Sequence, residues 1–171
     1  MLYSYCVFCK TGSELSVAEK INIIDKSVKA VAPMRTMQEK RNGKWIGKEK
    51  VLLPGYVFLY SENDFDTNLI RNLTDLYKVL SYDYGIRSLV GKDYEYAMWI
   101  WKYHGSIDTS KVLTVGSSVK VVEGPLLDSN GVIKKLDKHK RKVWVEFDFD
   151  GISRMIVLSA VCVDSMDNPT G

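Results

Sequence analysis

Two stretches of this sequence gather positive charge where acidic residues are scarce, and both could neutralise phosphate. Over residues 35–50 the cations Arg35, Lys40, Arg41, Lys44, Lys48 and Lys50 meet only Glu39 and Glu49. Trp45 stands among them with Gly43 and Gly47 close by. Charges suited to a phosphate backbone therefore come with a ring on which a base can stack. Over residues 134–142, Lys134, Lys135, Lys138, His139, Lys140, Arg141 and Lys142 face Asp137 alone. Basic and acidic residues balance across residues 112–171, so an otherwise neutral segment presents one concentrated positive edge, as a nucleic-acid footprint does. This loop contains no aromatic residue. It suits the phosphates and shape of a folded RNA hairpin better than base-by-base reading of a single strand. The competing reading of any charge run is a solvated surface.

Other chemistry finds little material. Cys6-Val7-Phe8-Cys9 has the spacing of a thiol redox pair, but such pairs open a helix, whereas these cysteines fall on a strand, where a spacing of three turns them to opposite faces. Zinc would need four ligands, and only Cys162, His104 and His139 remain, scattered. No nucleotide-binding loop, paired catalytic carboxylates or Ser-His-Asp arrangement is present. We expect no catalytic residue, no metal, no cofactor and no enzymatic activity.

The elements that must position these residues divide into two patterns. Residues 3–8 suit a buried strand, and Val17, Ile21 and Ile24 recur at helical spacing. Thr11 with Glu14 three residues later reads as a capping box at that helix start. Residues 28–34 read as a strand ending near Pro33, and Asn42-Gly43 marks a projecting hairpin over residues 35–50. Residues 51–60 (VLLPGYVFLY) are nearly all apolar, as a central strand covered on both faces would be. Asp64 or Asp66 caps a short helix carrying Leu69, Ile70 and Leu73, followed by a strand over residues 77–80 and a helix over about 93–103. The predicted order is βαββαβα.

Residues 102–115 are polar and lose periodicity, which places a boundary there. Beyond it, short strands over residues 118–122, 132–135, 143–147 and 155–158 are punctuated by Gly124-Pro125, Asn130-Gly131 and Asp150-Gly151. Such a segment suits a small barrel, which removes exposed sheet edges by closing. The prediction is an α+β protein with an N-terminal domain over residues 1–104, a flexible linker over 105–114 and an all-β domain over 115–171.

The 171 residues allow two small domains. A 46% hydrophobic and 26% charged composition is that of a globular chain. The absence of a long apolar run and the three scattered cysteines point to a soluble, cytoplasmic protein without a membrane association. The net charge of +3 is too small to name a partner.

Leu53-Pro54-Gly55-Tyr56-Val57-Phe58 resembles the central strand of the N-terminal (NGN) domain of the NusG transcription elongation factors. Residues 116–131 (GSSVKVVEGPLLDSNG) resemble their C-terminal KOW motif, an SH3-like barrel. Phe8-Cys9-Lys10-Thr11-Gly12 and Val31-Ala32-Pro33-Met34 are more similar to the specialised paralogues RfaH and LoaP than to general NusG.

The resemblance implies an antiparallel N-terminal sheet and a factor that rides on bacterial RNA polymerase as a monomer, suppressing pausing or termination at chosen operons. By resemblance, Phe8, Leu53, Tyr56 and Phe58 form the surface that docks on the polymerase clamp helices, although strand aromatics read by themselves are core. Asp66, Thr67 and Asn68 match a gate-loop contact, with Thr67 the one residue kept unchanged. Lys10 and Arg71 match DNA-facing positions, joining Lys40, Arg41, Lys44 and Trp45 of the hairpin as candidate contacts to upstream or non-template DNA. An RNA hairpin is the favoured partner of the KOW loop. General NusG proteins carry a Phe where this chain has Asp150 and use it to contact a ribosomal protein. Phe149 lies one residue earlier, and a one-residue slip turns a strand side chain to the other face. The alternatives are a general NusG-like factor coupled to a ribosomal or termination partner, and a ribosome-associated RNA-binding KOW protein. The β pattern of the C-terminal half further predicts an open, two-domain molecule.

Overall fold

The computed structural model describes residues 2–163. In chain order it contains β1 (Tyr3–Cys9), α1 (Glu14–Ile24), β2 (Val28–Val31), β3 (Met34–Arg41), β4 (Lys44–Val51), β5 (Tyr56–Ser61), β6 (Leu76–Val79), α2 (Gly91–Lys102), β7 (Ser106–Ile107), β8 (Ser110–Val115), β9 (Ser118–Glu123), β10 (Val132–Asp137), β11 (Lys142–Phe149) and β12 (Ile152–Cys162). Short 3-10 turns sit at Thr67–Leu69, Asp83–Gly85 and Pro125–Asp128. The fold is mixed α+β. It divides into two compact units, Met1–Pro33 with Val51–Trp101, and Met34–Lys50 with Lys102–Gly171. The end of the predicted 115–171 domain, residues 164–171, lies outside the described residues.

The first unit is built on an antiparallel sheet of order β2-β5-β1-β6. One face carries Tyr5, Val7, Val57 and Leu59 against Val17 and Ile21 of α1, all nearly inaccessible. Each such side chain contributes about 1.5–3 kcal/mol when fully buried. The start of α1 differs from the predicted capping box. Ser13, not Thr11, holds the N-cap position, because Gly12 at φ +97° makes the turn that opens the helix. Glu14 still reaches back, but to the Gly12 amide at 2.7 Å and the Gly55 amide at 3.4 Å. This buried carboxylate ties the helix start to the loop before β5.

That loop corrects the strand expected over residues 51–60. Val51 ends β4, and β5 begins only at Tyr56. Pro54 offers no amide to a ladder, and Gly55 takes φ +86° with its Cβ position 3.3 Å from the Cys9 carbonyl. The chain turns there before entering the sheet. The helix expected after Asp64 or Asp66 is only the turn Thr67–Leu69, capped by Asp66 accepting from the Asn68 amide at 3.0 Å.

The second unit holds a sheet of order β10-β11-β12-β8-β9, antiparallel except for the β8–β12 pair. Clean alternation puts Val143, Val145, Phe147 and Phe149 inside along β11. Gly131 lies where an added Cβ would come within 2.4 Å of Val145 and 2.7 Å of the Phe147 ring, so only glycine fits. Residues 105–114, expected as a linker, contain β7 and most of β8. Val112 is buried and pairs in parallel with Cys162, a long-range partnership that local polarity conceals. The hairpin over residues 35–50 forms around Asn42 at φ 50° and Gly43 at φ 75°. It does not stand alone: β3 also pairs with β7 and belongs to this second unit.

Candidate functional site

In the first unit, the β1–β5 register sets Phe8 opposite Tyr56 and Cys6 opposite Phe58. The Phe8 and Tyr56 rings meet edge to face with centroids 4.6 Å apart, and Lys78 Nζ lies 4.9 Å from the Phe8 centroid. Both rings are half-buried. Farther along the same face α2 covers the sheet. Phe58 is completely buried with Tyr96 at 6.1 Å, and the Tyr60 hydroxyl donates to the Ala97 carbonyl at 2.6 Å while its ring meets Trp101 at 4.5 Å. Burial holds the Tyr60 hydroxyl well above its ordinary pKa. The expected surface of Phe8, Leu53, Tyr56 and Phe58 is thus divided. Phe58 and Leu53 are core residues, because α2 seals one end of the face and the turn before β5 folds Leu53 inward. Phe8 and Tyr56 form the open end.

The segment Asp66, Thr67 and Asn68 follows an anchored loop. The Tyr5 hydroxyl donates to Asp64 and accepts from the Phe65 amide at 2.9 Å. Burial first, then that Asp64 bond, pushes the Tyr5 hydroxyl up to about 12. Asp66 and Asn68 are exposed, whereas Thr67, the residue matched by resemblance, is buried. Lys10 and Arg71 are exposed in this unit.

In the second unit the hairpin and the turn before β11 come together. The Gln38 amide of β3 donates to Ser159 Oγ at 3.1 Å, and that buried hydroxyl donates to the Arg141 carbonyl at 3.3 Å. The Ala160 amide reaches the same carbonyl at 3.1 Å. Arg35 donates from its guanidinium to the Val157 carbonyl. Arg141, in the left-handed region at φ 53°, is pinned by these bonds. Its guanidinium then lies 4.3 Å from the Trp45 ring centroid, with Lys40 Nζ at 5.8 Å from the same ring.

A cleft of about 450 Å³ opens there, lined among others by Lys40, Trp45, Thr114, Lys138, His139 and Arg141. A second, of about 460 Å³, lies between β9 and β10 and includes Ser118, Lys134, Lys135 and Lys138. Thr114 and Lys138 line both, and Lys138 Nζ donates to Thr114 Oγ1 at 3.2 Å. Lys135 also rests 4.6 Å from the Trp144 ring centroid. Lys140 is exposed in the turn and Lys142 half-buried at the start of β11. In the hairpin Arg41 and Lys50 both pair with Glu39, which lowers the Glu39 pKa chiefly through the Lys50 bond. Among the described residues, Lys40, Lys44, Lys134, Lys138 and Lys140 have no carboxylate within ion-pair distance.

Sequence reasoning treated the two basic segments as separate and missed Thr114, Ser159 and Cys162, which line or position this cleft. None of them carries a local signal. Phe149, expected to have turned away from a surface role, is 1% exposed, and Asp150 occupies the turn at φ 56°.

A family model described as "Transcription termination factor nusG" matches residues 4–91, which takes in β1 through β6 and the aromatic face. The chain belongs to the NusG family. Members of this family are transcription factors that act with RNA polymerase. The structure of Thermotoga maritima NusG, solved to describe its domain interaction, is similar over 93% of this chain and 94% of its own, with a TM-score of 0.59 and 24% identity. That likeness shows a NusG-like fold across both units. No curated protein matches. No helix among the described residues is long and apolar enough to cross a membrane.

Proposed function

We propose that this NusG-family protein is an operon-specific elongation and antitermination factor. It docks on RNA polymerase through the open Phe8–Tyr56 end of its aromatic face, suppresses pausing or termination, and holds nucleic acid with a C-terminal KOW domain. The observation that carries the reading is the pairing of features within one family fold. One unit leaves two half-exposed aromatics, packed edge to face, beside a sealed core, and the other leaves a row of lysines without acidic partners among the described residues. Half-exposed aromatic anchors are what a protein interface uses, and unpaired lysines along a cleft are what phosphate requires.

Asp66 and Asn68 offer a second polymerase contact, and Lys10, Arg41, Lys44 and Arg71 supply exposed cations for upstream or non-template DNA. The 134–142 cations take an RNA hairpin. A factor that instead couples to the ribosome is disfavoured, since Phe149 is held inside the sheet and Asp150 stands at the turn. Affinity capture with the tagged full chain from bacterial lysate separates the readings: core RNA polymerase is expected, and ribosomal subunits without polymerase would overturn the proposal.

A further inference from the structure

The cleft at Trp45 joins two segments that lie far apart in sequence, and its composition is more specific than a positive patch. The lysines without acidic partners continue from it: Lys40 stands at the hairpin end, Lys138 is shared by both clefts, and Lys134 and Lys135 of β10 line the second. The aromatic ring that the 134–142 loop lacks is supplied by the hairpin. The half-buried Trp45 indole lines the first cleft with the Arg141 guanidinium beside it. A volume of about 450 Å³ lies within the roughly 300–1,000 Å³ of clefts that enclose small organic groups. An indole and a guanidinium plane are the surfaces on which proteins stack unpaired bases, and the edges of a paired RNA stem are not readable in its deep groove.

We propose that the β3–β4 hairpin and the turn before β11 form one RNA-binding site, in which Lys134, Lys135 and Lys138 track stem phosphates while Trp45 and Arg141 hold one unpaired base. The inference rests on the RNA reading of the second unit and moves Lys40 and Trp45 from DNA contact to RNA contact. Ser159 is a positioning residue: one buried hydroxyl accepts from the hairpin backbone and donates to the Arg141 carbonyl, fixing the distance between the two halves. RNA is favoured over duplex DNA because a lone ring beside a phosphate track serves a base that is already out of its stack, which a bulge or loop provides without the cost of flipping.

The test is fluorescence anisotropy with the full chain and three labelled probes: an RNA stem-loop with a single-adenosine bulge, the same stem-loop fully paired, and a DNA stem-loop of the bulged sequence, each across a salt series. The wild-type chain is expected to prefer the bulged RNA. Trp45→Ala should weaken that complex about tenfold, as loss of one stacked base does, and abolish the preference while leaving the salt slope unchanged. Trp45→Phe should restore the preference. Lys138→Ala should lower the slope by about one on both RNAs. If Trp45→Ala keeps the preference, or the wild type shows none while Lys138→Ala still flattens the slope, the composite site is wrong and the RNA reading survives. If no RNA binds, or DNA binds equally well, both are overturned.

Discussion

The two units treat the same kind of residue in opposite ways. On β5 an alternating row of aromatics runs under α2, so that Phe58 and Tyr60 become core and only Tyr56, with Phe8 opposite, stays open. In the hairpin of the second unit Trp45 is bordered instead by Lys40 and Arg141. An aromatic on a strand is therefore a buried prop or an accessible ring according to what covers it, and the cover is set by tertiary structure. On the proposed reading, the end of the row that α2 leaves open meets another protein, and the ring bordered by cations meets an anion.

Substitutions can break this comparison at graded strengths. The largest effect is expected at Phe58. Phe58→Ala should destabilise the first unit by about 3–5 kcal/mol, as large-to-small core changes do, visible as a lowered thermal midpoint. A small shift there would mean that Phe58 is surface after all. Next comes Glu14→Ala, which leaves the Gly12 and Gly55 amides without their buried acceptor and should cost about 1–3 kcal/mol, measured by urea denaturation. A neutral result would show that the Gly55 loop holds itself.

The smallest effect is kinetic. Cys9 ends β1 with its thiol buried, and burial, followed by Glu14 and Asp75, raises it to about 11. The folded state keeps this proton where the unfolded chain has lost it, so the contribution to stability is complete below pH 9 and falls as pH rises from about 9 to 11. At pH 8.5 iodoacetamide should modify the half-exposed Cys162 first and spare the buried Cys6 and Cys9. Mass spectrometry of the alkylated peptides reads the order, and early modification of Cys9 would place it outside the core.

Much of the fold was legible in the residues because local signals agreed with tertiary ones. Asn42-Gly43 and Asp150-Gly151 both adopt left-handed turns. Of the helically spaced Val17, Ile21 and Ile24, the first two face the core while Ile24, at the helix end, is exposed, and the short strands beyond residue 115 all form. What stayed hidden depends on partners distant in sequence. Ser110–Val115 is too polar to announce a strand, yet it pairs with Ala160–Cys162. The division of the aromatic row between core and surface depends on α2, some forty residues downstream. The Trp45–Arg141 juncture depends on a Ser159 hydroxyl that no motif marks. Charge told where nucleic acid could bind. It did not tell that the ring and the lysines share one cleft.

The central claim is that protein docking and nucleic-acid binding occupy separate surfaces, and the most direct test is the affinity of the full chain for core RNA polymerase by biolayer interferometry. Phe8→Ala/Tyr56→Ala should weaken binding at least tenfold, about 1.4 kcal/mol or more, while Lys134→Ala/Lys138→Ala/Lys140→Ala should leave it within about twofold at physiological salt. Equal losses in the two variants, or a loss confined to the lysine variant, would contradict it.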